Sequence, residues 1–300
     1  MIAALALAPV VAGFLTGALL RRIGVASGDD GRFLLLLNLL VCMPALMLRS
    51  LTQVPLSVEF AIFPLSALVM VSVGRMIGGA ASRSMHVGHD RAILIMGFMV
   101  VNAAFALPFV ETVYGAAGVA RLAAFDAVNN ALVMTWVYAV AVRANPEASH
   151  RPRRAFWFVL RTPPIYAVAA GLLLNVTGTT IPGWLAGSVD VFAAASPLLI
   201  SVGTGLLFLP RRHPAGRRAL VVATARPVAG LSVATMLALA LGLDGADRGV
   251  LLLLGAAPMG FVLVTFASLE RLDAELAAQC LTLSLLTGFL LSTGLALALV

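Results

Sequence analysis

One apolar stretch, AFDAVNNALVMTW, holds an acid and two amides at helical spacing. Asn129 and Asn130 follow Asp126 by three and four residues, so a helix puts all three on one face. An ionisable group inside an apolar span faces a bundle interior or a cavity and marks an ion, proton or substrate path. The competing reading of the same face is a polar clamp on a neighbouring backbone. A second polar point lies upstream in AILIMGFMVVNAAFALPFVETVY, residues 92–114, where Asn102 precedes Pro108 by six residues. Proline removes an amide donor and clashes with the preceding turn, so it kinks or breaks a helix. A third stretch, Gly249 to Ser268, carries Gly255, Pro258 and Gly260. In hydrocarbon an interrupted helix persists only where protein or a water-lined cavity receives its freed backbone groups. The N-terminal end of each half-helix then presents free amides and partial positive charge, and two such ends facing each other suit a carboxylate. The expected binding set is therefore Asn102, Pro108, Asp126, Asn129, Asn130, Gly255, Pro258 and Gly260. Within it Asp126 either carries a coupling proton or ion or braces the crossing. The competing reading makes Pro108 and Pro258 simple kinks in packed helices.

The other polar residues point to no chemistry. Arg226 lies a few residues into an apolar span and is expected to snorkel to the interface. Arg49, Arg75 and Arg121 sit near span ends and read as interfacial. Glu270, Asp273 and Glu275 read as a solvated turn, and Asp190 as a charge favouring a helix N-terminal end. The histidines His86, His89, His150 and His213 fall between apolar spans, and His86 and His89 lack a third ligand nearby, so no metal is expected. Cys42 and Cys280 make no disulfide framework. There is no nucleophile elbow, no phosphate-cradling loop and no HExxH. No catalytic residue, no cofactor and no enzyme are expected.

These residues need elements to hold them, and composition says which. Apolar residues make up 61% of 300, charged residues 11%, and the mean hydropathy is +1.03. Globular domains carry about 25% charged residues, so the lipid bilayer is the expected solvent. The net charge of +7 comes from arginine alone. No basic patch has interleaved aromatics, so no nucleic-acid partner is expected. At roughly 20 apolar residues per crossing, ten spans follow, near 2–20, 33–51, 57–81, 92–114, 119–142, 156–177, 185–209, 219–242, 249–268 and 274–299. The first lacks a preceding basic region and reads as a span, not a removed signal. Seventeen arginines lie in or beside the linkers after the odd-numbered spans, and three lie on the opposite side. By the positive-inside rule both termini face outward and the central linker, residues 143–155, is cytoplasmic. Five spans on each side of that linker require any structural repeat to be inverted. Four proline pairs support one: Pro9 with Pro164, Pro44 with Pro197, Pro64 with Pro227, and Pro108 with Pro258, at offsets of 155, 153, 163 and 150. The expected architecture is an all-α polytopic membrane protein of ten transmembrane helices. Residues 1–142 form one five-helix repeat and 156–300 a second, inverted one, with helices four and nine broken and crossing.

Several stretches resemble the auxin efflux carrier family: RRIGVASGDDGRFLLLLNLLVCMPAL, VNAAFALPFVETVYGAAGVARLAAFDAVNN, RTPPIYAVAAGLLLN with its Pro163–Pro164 opening, AAASPLLISVGTGLLF, and APMGFVLVTFASLERLDAELAAQCLTLSLLTG. The resemblance spans essentially the whole chain and includes bacterial malonate or malate permeases. It implies a ten-helix fold in which spans one, two, six and seven form a scaffold and the remaining six a moving bundle. It also implies a homodimer through the scaffold and a small organic anion as substrate. Asn102, Pro108, Asp126 and Pro258 match its crossing. The chain departs from the family at Ala103, Ala104 and Ala106, where glycines are common, and at Met259 to Val262, where a polar residue often follows the proline. The expected function is a secondary carrier in the cell inner membrane that moves the anion by alternating access, coupled to protons or sodium. The alternatives are a sodium-coupled symporter similar to bile acid transporters and a non-transporting membrane sensor.

Overall fold

A computed structural model describes residues 2–53, 58–83, 88–144, 163–207, 217–260 and 262–299. The central linker beyond Ala144, the start of the sixth span and the histidines at 86, 150 and 213 lie outside them. Among the described residues every regular element is helical. In chain order the helices are α1 (Ile2–Arg22), α2 (Gly28–Leu37), α3 (Met43–Gln53), α4 (Ile62–Ala81), α5 (Gly88–Met99), α6 (Ala103–Leu132), α7 (Tyr138–Ala144), α8 (Pro163–Thr177), α9 (Gly183–Leu207), α10 (Arg217–Ala240), α11 (Gly245–Ala256), α12 (Val262–Leu269) and α13 (Ala274–Leu299). Wide π turns at Asn38–Cys42 and Val133–Val137 join α2 to α3 and α6 to α7. Six described helical stretches are long and apolar enough to cross a membrane, and Tyr166–Thr177 is a shorter apolar helix.

Local sequence explains where several elements begin and turn. Ser27 caps α2: its hydroxyl accepts from the Asp30 amide at 3.3 Å, and the Asp30 carboxylate accepts from the Ser27 amide at 2.7 Å. This reciprocal capping box starts the second span at Gly28, ahead of its first continuous apolar run. The fourth and fifth spans are not joined by a loop. They run on through Gly115, whose φ of 57° and ψ of −148° turn the chain in one residue. A side chain there would be strained, because positive φ is costly without glycine.

The helices pack in two groups. In the first, α1 lies along α9, α3 along α8, and α2 and α3 against α9. Small residues let α1 and α9 touch through backbone: a Cβ on Gly17 would lie 2.2 Å from the Val202 carbonyl oxygen, and one on Gly205 would lie 2.1 Å from that of Phe14. Close backbone approach at small residues is how helices associate in a solvent as apolar as themselves. Ser196 adds a buried hydrogen bond to Asn38 at 2.7 Å. In the second group, α4 packs on α5 and α6, α10 on α11 and α13, and α11 on α6. The core lies here, with Ile93, Leu94, Met96, Ala106, Leu107, Leu253, Leu254 and Met259 all fully buried. Contacts of α6 with α3 and α9, and of α1 with α13, join the two groups.

Candidate functional site

Two helix interruptions meet inside the second packing group. The first separates α5 from α6 at residues 100–102, and the second follows α11 at residues 257–260. They lie against each other. A Cβ on Gly260 would sit 2.3 Å from Val100 Cγ1, and one on Gly97 would sit 2.7 Å from the Met259 side chain.

The second interruption falls at the expected proline. Ala257 has φ −60° and ψ 147°, the extended conformation that a following proline imposes. Pro258 then packs on α13, where a Cβ on Gly288 would come within 2.8 Å of its ring. The first interruption does not fall at its proline. Pro108 lies buried in the second turn of α6, and the break comes earlier, at Val100 to Asn102. The position is set by the groups available to satisfy freed backbone. Asn102 caps α6, its Oδ1 accepting from the Phe105 amide at 3.1 Å. The Val101 carbonyl accepts from Asn129 Nδ2 at 3.0 Å, and the Val100 carbonyl accepts from Arg226 Nη2 at 2.7 Å. Partners of this kind exist at 100–102, and the helix continues through Pro108.

Asn102 also links the interruptions, its Nδ2 donating to the Met259 carbonyl at 3.2 Å. The Met259 amide donates to Ser284 Oγ on α13 at 2.8 Å. Asp126 is buried behind the first interruption and accepts from Asn129 Nδ2 at 3.0 Å and Asn130 Nδ2 at 2.8 Å. The shared helix face expected for this acid and its two amides is therefore present. Asn129 reaches onward to the break, whereas half-buried Asn130 bonds the acid. Gly255 ends α11 against α10, where its Cβ would meet Ala234 Cβ at 2.5 Å.

Arg226 corrects the sequence reading most sharply. It does not snorkel: only 2% of its surface is exposed. Nη2 bonds Val100 as above, and Nη1 donates to the Gly255 carbonyl at 3.3 Å and to that of Ala257. These acceptors belong to the C-terminal ends of α5 and α11, where the helix dipole is negative and carbonyls lack helical partners. Among the described residues no carboxylate forms an ion pair with Arg226. It also lines a narrow cleft between α4 and α10, with Met70, Gly74, Phe98, Val101 and Gly230. One sequence signal was available. Arg226 lies nine residues past the start of α10, roughly 14 Å of helix at 1.5 Å per residue, too deep for an interfacial position. Ser284 carried no such signal.

Other polar pairs join the helices. Arg121 on α6 pairs with Asp247 on α11, and its guanidinium lies 5.3 Å from the centre of the Phe60 ring. Glu270, expected in a solvated turn, is buried and accepts from the Tyr138 hydroxyl. Asp190 pairs with Arg49 at 3.1 Å in an exposed position. Among the described residues no group of His, Cys, Asp and Glu could hold a metal ion.

A family model described as membrane transport protein matches residues 3–295. A search of curated proteins finds no match.

Proposed function

The chain belongs to the membrane transport protein family, the auxin efflux carrier-like family that its sequence resembles, and from this premise we propose that it is a secondary carrier of a small organic anion. The observation that carries the reading is the meeting of two interrupted helices around Arg226, a buried cation with no carboxylate partner among the described residues. A buried guanidinium beside half-helix N-terminal ends favours an anion. Asn102 and the backbone of the two breaks would contact it, with Pro108, Gly255 and Pro258 shaping the crossing. Asp126, held by Asn129 and Asn130, would carry a coupling proton or brace the first break.

Alternating access needs two bodies that rock about the site, and an inverted repeat supplies them. Several pairs of contacts support such a repeat between residues 1–142 and 156–300. The α1–α9 contact is matched by α3–α8, and α4–α5 by α10–α11. A Cβ on Gly74 would meet the Phe98 carbonyl at 2.4 Å, and one on Gly230 would meet that of Gly255 at 2.3 Å. Asn129 donates to the Val101 carbonyl at one break, and Ser284 accepts from the Met259 amide at the other. The first packing group would be the scaffold and the second the moving body. The arginine asymmetry orients both termini outward in the cell inner membrane.

The test is counterflow of labelled malonate in proteoliposomes. Saturable exchange that Asn102→Ala weakens supports the reading. Exchange that Asn102→Ala leaves untouched removes the crossing as the site. No exchange with malonate or with larger hydrophobic carboxylates removes the organic-anion class.

A further inference from the structure

The carbonyls of Val100, Gly255 and Ala257 converge on one point between the C-terminal ends of α5 and α11. In crossed-helix carriers, unwound carbonyls and half-helix C-terminal ends are the groups that coordinate a coupling cation. Here the point is already filled. The Arg226 guanidinium brings a full positive charge, and its planar set of donors serves all three acceptors at once. An alkali ion needs those same lone pairs and would have to displace a side chain that the chain itself supplies. Gly230, one turn further along α10 on the same face, keeps the two helices close enough for this. Its Cβ would lie 2.3 Å from the Gly255 carbonyl and 3.1 Å from Arg226 Nη1.

We propose that Arg226 is a tethered cation that takes the place of a bound sodium ion at the crossing, so that the crossing is held together, and transport proceeds, without sodium. Arg226 is a positioning residue: it fixes the two breaks relative to each other and sets the charge of the site. This rests on the carrier reading for its bearing on transport, but the structural core of it can be tested without any substrate.

The experiment is thermal unfolding of the full chain in detergent, in sodium, potassium or choline chloride at one ionic strength. The native chain is expected to melt at the same temperature in all three. Arg226→Met removes the charge while roughly keeping the volume, and is expected to lower the melting temperature, on the order of 5–10 °C for a chain of this size. Arg226→Lys restores a point charge but not the planar fork, and is expected to fall between. In Arg226→Ala, low millimolar guanidinium is expected to recover part of the loss and to leave the native chain unmoved. A stabilisation of the native chain specific to sodium would overturn the proposal, as would an Arg226→Met variant that melts with the native chain. Should the variants not fold, the ion series on the native chain decides. Failure of malonate exchange in the earlier assay would leave these outcomes unaffected. If exchange is found, its rate is expected to be equal in sodium and choline, and a requirement for sodium would again overturn the proposal.

Discussion

Replacing Asn102 by alanine removes two interactions that lie far apart in sequence but share one side chain. The first is the cap on α6, where Oδ1 accepts from the Phe105 amide at 3.1 Å; losing an asparagine cap costs about 1 kcal/mol. The second is the bond from Nδ2 to the Met259 carbonyl at 3.2 Å. Asn102 is 5% exposed and Met259 fully buried, so water is poorly placed to replace it. An unsatisfied buried acceptor costs about 1–3 kcal/mol. The sum is about 2–4 kcal/mol, or on the order of 5–10 °C in melting temperature. Asn102→Asp separates the two parts. It keeps the cap acceptor but puts a carboxylate oxygen against the Met259 carbonyl, so it should be at least as damaging as alanine. Thermal unfolding of the purified chain in one detergent measures all three proteins. An Asn102→Ala variant within about 0.5 kcal/mol of the native chain, the range of an ordinary surface change, would refute the account of Asn102 as the link between the interruptions. An Asn102→Asp variant as stable as the native chain would refute the donor role at Met259.

Three further outcomes are expected. Gly260→Ala puts a Cβ 2.3 Å from Val100 Cγ1 and should destabilise by about 1–3 kcal/mol as overpacking does; adding Val100→Ala should recover part of this, and a double-mutant cycle by thermal unfolding reads the coupling. Asp126→Asn keeps the shape of the acid but removes its charge, so any pH dependence of malonate exchange that comes from this group should disappear, measured as exchange rate against pH. Arg121→Ala and Asp247→Ala should show a coupling on the order of 1 kcal/mol or less, because their side chains are 19% and 28% exposed and partly solvated pairs contribute little; salt titration of the melting temperature checks it.

How much of this was legible beforehand depends on how far apart the interacting residues lie in the chain. Apolar runs, the one-face spacing of Asp126 with Asn129 and Asn130, and the break at Pro258 are local patterns. Each is fixed by helix geometry or by the backbone restriction that proline places on its neighbour, so sequence alone determined them, together with the all-helical membrane class and the family. The break at Val100–Asn102, the burial of Arg226 and Glu270, and the role of Ser284 were decided by tertiary structure. Hydropathy reports that a residue leaves water, but not whether lipid or another helix receives it, and for Arg226 that difference separates an interfacial charge from a buried one at the helix crossing. A helix breaks where its freed amides and carbonyls find partners, and here those partners come from residues 28 to 157 positions away. Pro108 marked a helix that could break. Arg226, Asn129 and Met259, brought to the break by the tertiary fold, determined where it did.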